Sequence, residues 1–131
     1  MLLKNAYASA DLFIMPNISV DGDMEGFGIV LLEANIAKTP AIGSDIEGIK
    51  DVIKQGVNGY KIPPQKPELF VEQIDKLLNS NKLEKLSISS KEFVEKNFNW
   101  NAVSNSYVAY FDQIISVKNK KHKQINNLIE F

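Results

Sequence analysis

The sequence predicts an α/β fold in which a short parallel sheet is covered by helices. The apolar runs at residues 12–15 and 40–43 are continuous rather than alternating, which is typical of parallel strands buried on both faces. Each run is followed by a loop and then by a segment of helical periodicity, as in strand–helix–strand units. Because the visible strands are fewer than the roughly four to six of a common sheet, we expect an incomplete sheet from a larger fold.

The predicted elements occupy nearly the whole chain up to residue 117. In order, they are a helix end (1–9), a strand closed by Pro16 (12–15), a helix (29–38), a strand (40–43), a short helix (49–55), a strand (60–62) and a helical region (68–117) with breaks near 79–81 and 97–99. We therefore expect one domain over residues 1–117, followed by a Lys-rich polar tail over residues 118–131.

The composition argues against several classes of protein. The cations are all lysine, and 15 of them stand against 16 acidic residues, so the net charge of −1 does not fit a nucleic-acid binder. The chain has no cysteine, which removes disulfides and Cys-ligated metals and fits a cytoplasmic location. No apolar run approaches the roughly 18 residues of a membrane span, and the start lacks the apolar stretch of a signal peptide.

The loop between the first strand and the next helix is the candidate binding site. In an open parallel sheet, ligands bind beyond the carboxyl ends of the strands, where loops lead into helix N-termini. Gly26, Phe27 and Gly28 lie at this point, and Ile29 begins the helix. The free N–H groups and the dipole of a helix start favour a phosphate. An ordinary glycine-rich turn is the alternative, because Leu31 stands where a dinucleotide-binding fingerprint has its third glycine.

Two glutamates flank the start of this helix. Glu33 lies in a segment that is apolar nearly all round, so we expect the helix to be buried between the sheet and another layer. A carboxylate there needs hydrogen-bond donors, which the vicinal hydroxyls of a nucleotide ribose would supply; pairing with a Lys or capping a loop is the alternative. Glu25 lies eight positions earlier on the loop, either within reach of the same ligand or as a solvated acid.

Three motifs carry a resemblance to a known family. Met15-Pro16-Asn17, residues 25–34 (EGFGIVLLEA) and residues 39–44 (TPAIGS) resemble the C-terminal domain of family-four glycosyltransferases, which are retaining enzymes of the two-domain GT-B fold. The resemblance covers about residues 1–116, and the two-glutamate motif within it is specific. The fold it implies is the C-terminal half of a GT-B enzyme, with a Rossmann-like parallel sheet.

The resemblance also implies a substrate and residue roles. The substrate would be a nucleotide-diphosphate-sugar donor, with Glu33 accepting hydrogen bonds from its ribose hydroxyls. Glu25 would be the catalytic residue, contacting the donor sugar and stabilising positive charge at the anomeric carbon. Backbone N–H groups from Gly26, Phe27, Gly28 and Ile29 would hold sugar hydroxyls and phosphate. Neither a metal nor another cofactor is implied.

The sequence departs from the family pattern in ways that bear on activity. Lys38 replaces a usual glycine, Glu47-Gly48 replaces a usual Gly-Gly, and Asp51 replaces a usual Glu. Nothing matches the family's N-terminal domain with its acceptor site, or the Arg and Lys that grip the diphosphate. We therefore expect a fragment that is inactive alone and needs a missing N-terminal domain or a complementary chain.

These features together predict part of a glycosyltransferase of polysaccharide, glycolipid or cell-envelope biosynthesis. A non-catalytic nucleotide- or sugar-binding chain with a separate N-terminal partner is the alternative. A dinucleotide-binding oxidoreductase domain is a third interpretation, against which the missing glycine counts. We also expect self-association through uncovered apolar surface, and contact of the Lys-rich tail with the inner membrane face.

Overall fold

The computed structural model describes residues 2–22, 28–46 and 48–129, with 119–129 described by their backbone alone. The chain divides into two compact units, one up to Lys96 and one from Asn97 onward. The domain boundary predicted at residues 117 and 118 rests on charge composition and stays a prediction.

The first unit contains three strands and five helices among the described residues. Its elements are α1 (Leu2–Ala8), β1 (Phe13–Met15), α2 (Ile29–Ile36), β2 (Ala41–Ser44), α3 (Ile49–Val52), β3 (Gly59–Ile62), α4 (Pro67–Leu78) and α5 (Leu83–Asn97). The described backbone of the second unit is one helix, α6 (Trp100–Ile129). No helix in the described part of the chain is long and apolar enough to cross a membrane.

The three strands form a parallel sheet in the order β1-β2-β3. Ala41 of β2 pairs with Phe13 on one side and with Gly59 on the other. A side chain at Gly59 would overlap the backbone of Ala41, so the first residue of β3 must be glycine. The predicted α/β class is confirmed, with a parallel sheet flanked by helices.

Both faces of the central strand are buried, as its continuous apolar run predicts. Successive side chains of a strand point to opposite faces, so Ala41 and Ile42 contribute to different clusters. The cluster on the α2 and α3 side contains Leu31, Ala41, Ile46, Ile49, Val52 and Ile53. The cluster on the α4 and α5 side contains Ile42, Ile62, Phe70, Leu77 and Leu86. The first of these clusters holds α2 against one face of the sheet.

A buried pair of asparagines joins the end of α2 to the turn before β3. The Asn58 Nδ2 group donates to Asn35 Oδ1 at 2.8 Å and to the Val52 carbonyl at 3.0 Å. In return, Asn35 Nδ2 donates to the Asn58 carbonyl at 3.2 Å and to the Thr39 carbonyl at 3.1 Å. Asn58 Oδ1 also accepts from the Lys54 N–H at 2.7 Å. Both asparagines are fully buried, so this network fixes the C-terminal half of α2 on the sheet.

The long C-terminal helix begins where the sequence predicts and ends later. Asn99 caps it, since the Ala102 N–H donates to Asn99 Oδ1 at 2.8 Å. The helix continues past Val117, the predicted end of the helical region, as far as Ile129. The predicted end at residue 117 depends on apolar periodicity, which the polar last residues lack. Lysine and glutamine are nevertheless good helix formers, so the helix continues.

Candidate functional site at the start of helix α2

The start of α2 lies at the edge of the sheet where ligands bind in open parallel sheets. The carboxyl ends of β1, β2 and β3 share one edge because the three strands are parallel. The chain leaves this edge after Met15 and enters α2 at Ile29. Gly28 and Ile29, both predicted site residues, therefore stand at the edge where open parallel sheets in general bind their ligands.

Gly28 has the backbone conformation that the start of α2 requires. It is the N-cap residue with φ +65°, in the left-handed region that glycine adopts at no steric cost. A Cβ at this position would lie 2.9 Å from Cδ1 of Leu31, which is fully buried. Gly28 provides no side-chain cap for the first N–H groups of the helix, and the Leu31 N–H donates to the Gly28 carbonyl at 2.9 Å.

Glu25, Gly26 and Phe27 lie outside the described residues, as does Glu47. The catalytic role predicted for Glu25 and the phosphate contacts predicted for Gly26 and Phe27 therefore stay predictions.

Among the described residues, helix α2 is buried on one face only, so they do not provide the second layer that the sequence predicts for it. Leu31, Ala34 and Asn35 face the core and are fully buried. The opposite face is exposed; it carries Ile29, Val30, Glu33 and Ile36. The helix carries hydrophobic residues on both faces, as the sequence shows, but the described residues cover only the face towards the sheet.

The carboxylate of Glu33 binds a tyrosine hydroxyl. Tyr7 of α1 donates from Oη to Glu33 Oε2 at 3.2 Å. Among the residues that the structure describes, no ion pair with Glu33 is found, so the alternative of a Lys partner gains no support there. A shallow recess between α1 and α2 includes this pair; its lining is Leu3, Lys4, Tyr7, Glu33, Ile36 and Ala37.

Burial affects the tyrosine of this pair. Tyr7 is 8% exposed, and burial, the hydrogen bond to Glu33 and the negative charge of Glu33 raise the pKa of its phenol above 10.0. The hydroxyl therefore stays protonated near neutral pH and can donate to the carboxylate.

The end of α2 has at Lys38 the backbone conformation that glycine adopts most easily. Lys38 has φ +67°, in the left-handed region. Its N–H donates to the Asn35 carbonyl and the Thr39 N–H donates to the Ala34 carbonyl, both at 2.9 Å. This is a Schellman motif, in which the residue after the cap adopts a left-handed conformation. The site helix keeps this ending with a lysine that is strained there.

Sequence reasoning missed two polar groups near the site. The contact between Tyr7 and Glu33 spans 26 positions, and no local pattern signals it. Ser44, at the carboxyl end of β2, is 1% exposed, and its hydroxyl has no hydrogen-bond partner among the described residues. No cluster of three or more His, Cys, Asp or Glu that could hold a metal occurs in the described ranges.

Comparisons with known proteins agree on one family. The family model for group 1 glycosyl transferases matches residues 2–100. A glycosyltransferase of Methanocaldococcus jannaschii is 31% identical over 107 residues, which are 81% of this chain and 26% of that protein. The phosphatidyl-myo-inositol mannosyltransferase of Mycobacterium leprae is 26% identical over 115 residues, which are 88% of this chain and 30% of that protein.

Solved structures show the same fold. Sucrose-phosphate synthase from Thermosynechococcus elongatus superposes with a TM-score of 0.67 at 25% identity, over 86% of this chain and 27% of that one. The Anabaena protein HepE, solved in complex with UDP, superposes with a TM-score of 0.69 at 17% identity, over 82% of this chain and 29% of that one.

The matches cover most of the length of this chain but only part of the length of its relatives. The chain spans 26% to 30% of the length of the two curated relatives named above. The family match covers most of the first unit, including the whole of α2. The chain therefore belongs to the group 1 family of glycosyl transferases.

Proposed function

We propose that this chain carries part of the donor-nucleotide site of a retaining glycosyltransferase. The observation that carries the proposal is the placement of Glu33 on the open face of α2, one turn behind the helix start at Gly28. A ribose hydroxyl pair bound to Glu33 would leave the attached phosphates close to the first N–H groups of the helix.

The chemistry proposed for the complete enzyme is transfer of a sugar from a nucleotide-diphosphate sugar, with departure of the nucleoside diphosphate. The dipole and N–H groups of the helix start stabilise the leaving phosphates, which gain negative charge in the transition state. Glu25 stabilises the positive charge on the sugar. UDP, the nucleotide in the HepE structure, is the first ligand to test.

The proposed partner is an N-terminal domain or a separate chain that completes the cleft. The partial coverage of the relatives supports this proposal, and so does the exposed apolar face of α2. We place the complete enzyme in the cytoplasm, with contact to the inner membrane face through the lysines of residues 118–123. Its products would be polysaccharide, glycolipid or other cell-envelope glycans.

Titration of the chain with UDP, followed by amide NMR shifts, tests the proposal. We expect UDP to shift the signals of Gly28 and Ile29, and inorganic phosphate to shift them far less. Replacing Glu33 by Ala should weaken UDP binding about tenfold or more, since the carboxylate accepts hydrogen bonds as a charged group. Glu72→Ala is the matched control, because Glu72 is an exposed helical glutamate on α4. Equal UDP affinity of the two variants would refute the ribose role of Glu33.

A further inference from the structure

Tyr7 is the only described side chain with a hydrogen bond to Glu33, and the two residues differ sharply in burial. Glu33 is an exposed glutamate, a residue type with many rotamers in water. Tyr7 is buried, and its hydroxyl reaches Glu33 Oε2 at 3.2 Å. The buried Tyr7 hydroxyl can therefore restrict the rotamers of the exposed Glu33 side chain.

Two further contacts fix the tyrosine itself. Its ring meets Phe13 of β1 edge to face, with centroids 5.6 Å apart and planes at 72°. Its carbonyl accepts a hydrogen bond from the hydroxyl of Thr39 at 2.6 Å, and Thr39 is 1% exposed. Tyr7 is thus held from β1 on one side and from the end of α2 on the other, so its hydroxyl has a defined position.

The hydrogen bond leaves the carboxylate able to bind a ligand. An ionised carboxylate has about four acceptor sites on its two oxygens, and Tyr7 occupies one of them on Oε2. The remaining sites, including both on Oε1, can accept from a pair of vicinal hydroxyls. Fixing the side chain in advance removes the entropy cost of ordering it when the ligand binds.

We infer that Tyr7 is a positioning residue, which fixes the orientation of the Glu33 carboxylate for the vicinal hydroxyls of the donor ribose. This inference rests on the proposed function of Glu33. A purely structural link between α1 and α2 would stabilise the fold without changing how Glu33 binds.

The first test measures the side-chain rotamers of Glu33 in the free chain, from scalar couplings in protein with labelled glutamate. We expect one dominant χ1 rotamer in the wild type and averaged couplings in Tyr7→Phe. Tyr60→Phe is the matched control, because it removes the hydroxyl of a half-buried tyrosine on β3 and should leave Glu33 unchanged. Unchanged Glu33 couplings in Tyr7→Phe would overturn the inference.

The second test measures UDP affinity in a double-mutant cycle. Tyr7→Phe should weaken UDP binding about three- to tenfold, because the Glu33 side chain must then be ordered when UDP binds. In a Glu33→Ala background the same change should have almost no effect on UDP binding. An equal loss in both backgrounds would show that Tyr7 acts on the fold alone and would overturn the inference. If the wild type does not bind UDP, the proposed function fails, and the rotamer measurement still decides whether Tyr7 orients Glu33.

Discussion

At the scale of one residue, Lys38 ends helix α2 in a strained left-handed backbone conformation. The Schellman ending requires a left-handed backbone, which disfavours every residue with a Cβ other than asparagine and aspartate. Thr39, directly after it, supplies the hydroxyl that holds Tyr7. The ending of α2 therefore affects both the stability of the helix and the position of the tyrosine that binds Glu33.

Replacing Lys38 by Gly should stabilise the protein. Relief of the left-handed strain is expected to raise the free energy of unfolding by about 1 kcal/mol. Urea denaturation measures this change. Glu72→Gly, in the middle of α4, is the control and should lower the free energy of unfolding by about 1 kcal/mol, because glycine disfavours a helix interior. A loss of stability in Lys38→Gly would contradict the assignment of strain to this position.

Tyr7 should make the free energy of unfolding depend on pH in the alkaline range. Because its pKa is raised by folding, the protonated phenol contributes stability fully below the ordinary pKa of 10.0, and this contribution is lost as the pH rises through the higher folded value. Unfolding free energies of the wild type should therefore fall above about pH 10. The fall should be smaller in Tyr7→Phe and should persist in Tyr60→Phe. Identical alkaline profiles for the wild type and Tyr7→Phe would contradict this expectation.

At the scale of elements, the asparagine pair connects α2, β2 and the turn before β3. Asn58 alone makes hydrogen bonds to the Val52 carbonyl and the Lys54 N–H, which lie at the C-terminal end of α3, and to Asn35. The turn at residues 56–59 is visible in the sequence, because glycine and asparagine favour turns. The partner of Asn58 is not, since Asn35 lies 23 positions away. Sequence patterns predict the turn but not what holds it against the helix.

Replacing Asn58 by Ala should destabilise the fold strongly. The Lys54 N–H, the Asn35 Oδ1 atom and the Val52 carbonyl each lose a partner away from water, which should lower the free energy of unfolding by about 3 kcal/mol. Urea denaturation measures the change. Asn79→Ala, which removes an exposed side-chain hydrogen bond, is the control and should cost less than about 1 kcal/mol. Similar losses in the free energy of unfolding for the two variants would contradict a stabilising role for the buried asparagine pair.

The order of the elements could be predicted because each depends on local periodicity. Residues 12–15 and 40–43 are predicted strands that contain β1 and most of β2. The helical region predicted from residue 68 begins in the structure at Pro67, and the break predicted near 97–99 precedes the start of α6. The burial of α2 could not be predicted in the same way. Its composition shows that both faces can be buried, but it does not show which neighbours are present to bury them.

At the scale of the whole molecule, the chain exposes apolar surface beyond that of an ordinary surface helix. Ile29, Val30 and Ile36 form an exposed face on α2, and β1 and β3 are the edges of the sheet in the described ranges. Unpaired edge strands and contiguous apolar faces promote association. This surface is the one we propose to be covered in the complete enzyme.

The isolated chain should therefore self-associate. Sedimentation velocity across a wide range of protein concentration should show a mass that increases with concentration. Ile36→Lys, which charges the exposed face of α2, should reduce this association. Val71→Lys is the control, because Val71 is an exposed apolar residue of α4, away from that face. A concentration-independent monomer mass for the wild type would contradict the expectation.

The family and the fold follow from motifs that are contiguous in the sequence, whereas the contacts of the site are long-range. The glycine at position 28 and the glutamate at position 33 mark the site helix, and the family match includes them. Tyr7 reaches Glu33 only because α1 packs on α2, which is a consequence of the tertiary structure.

The most direct test of the central claim is the measurement of intermolecular nuclear Overhauser effects between UDP and the chain. The account predicts effects from the ribose protons of UDP to the side chain of Glu33 and to the ring of Tyr7, together with a shift of the Gly28 amide. The absence of ribose contacts at Glu33 under saturating UDP, or ribose contacts confined to another helix such as α5, would contradict it.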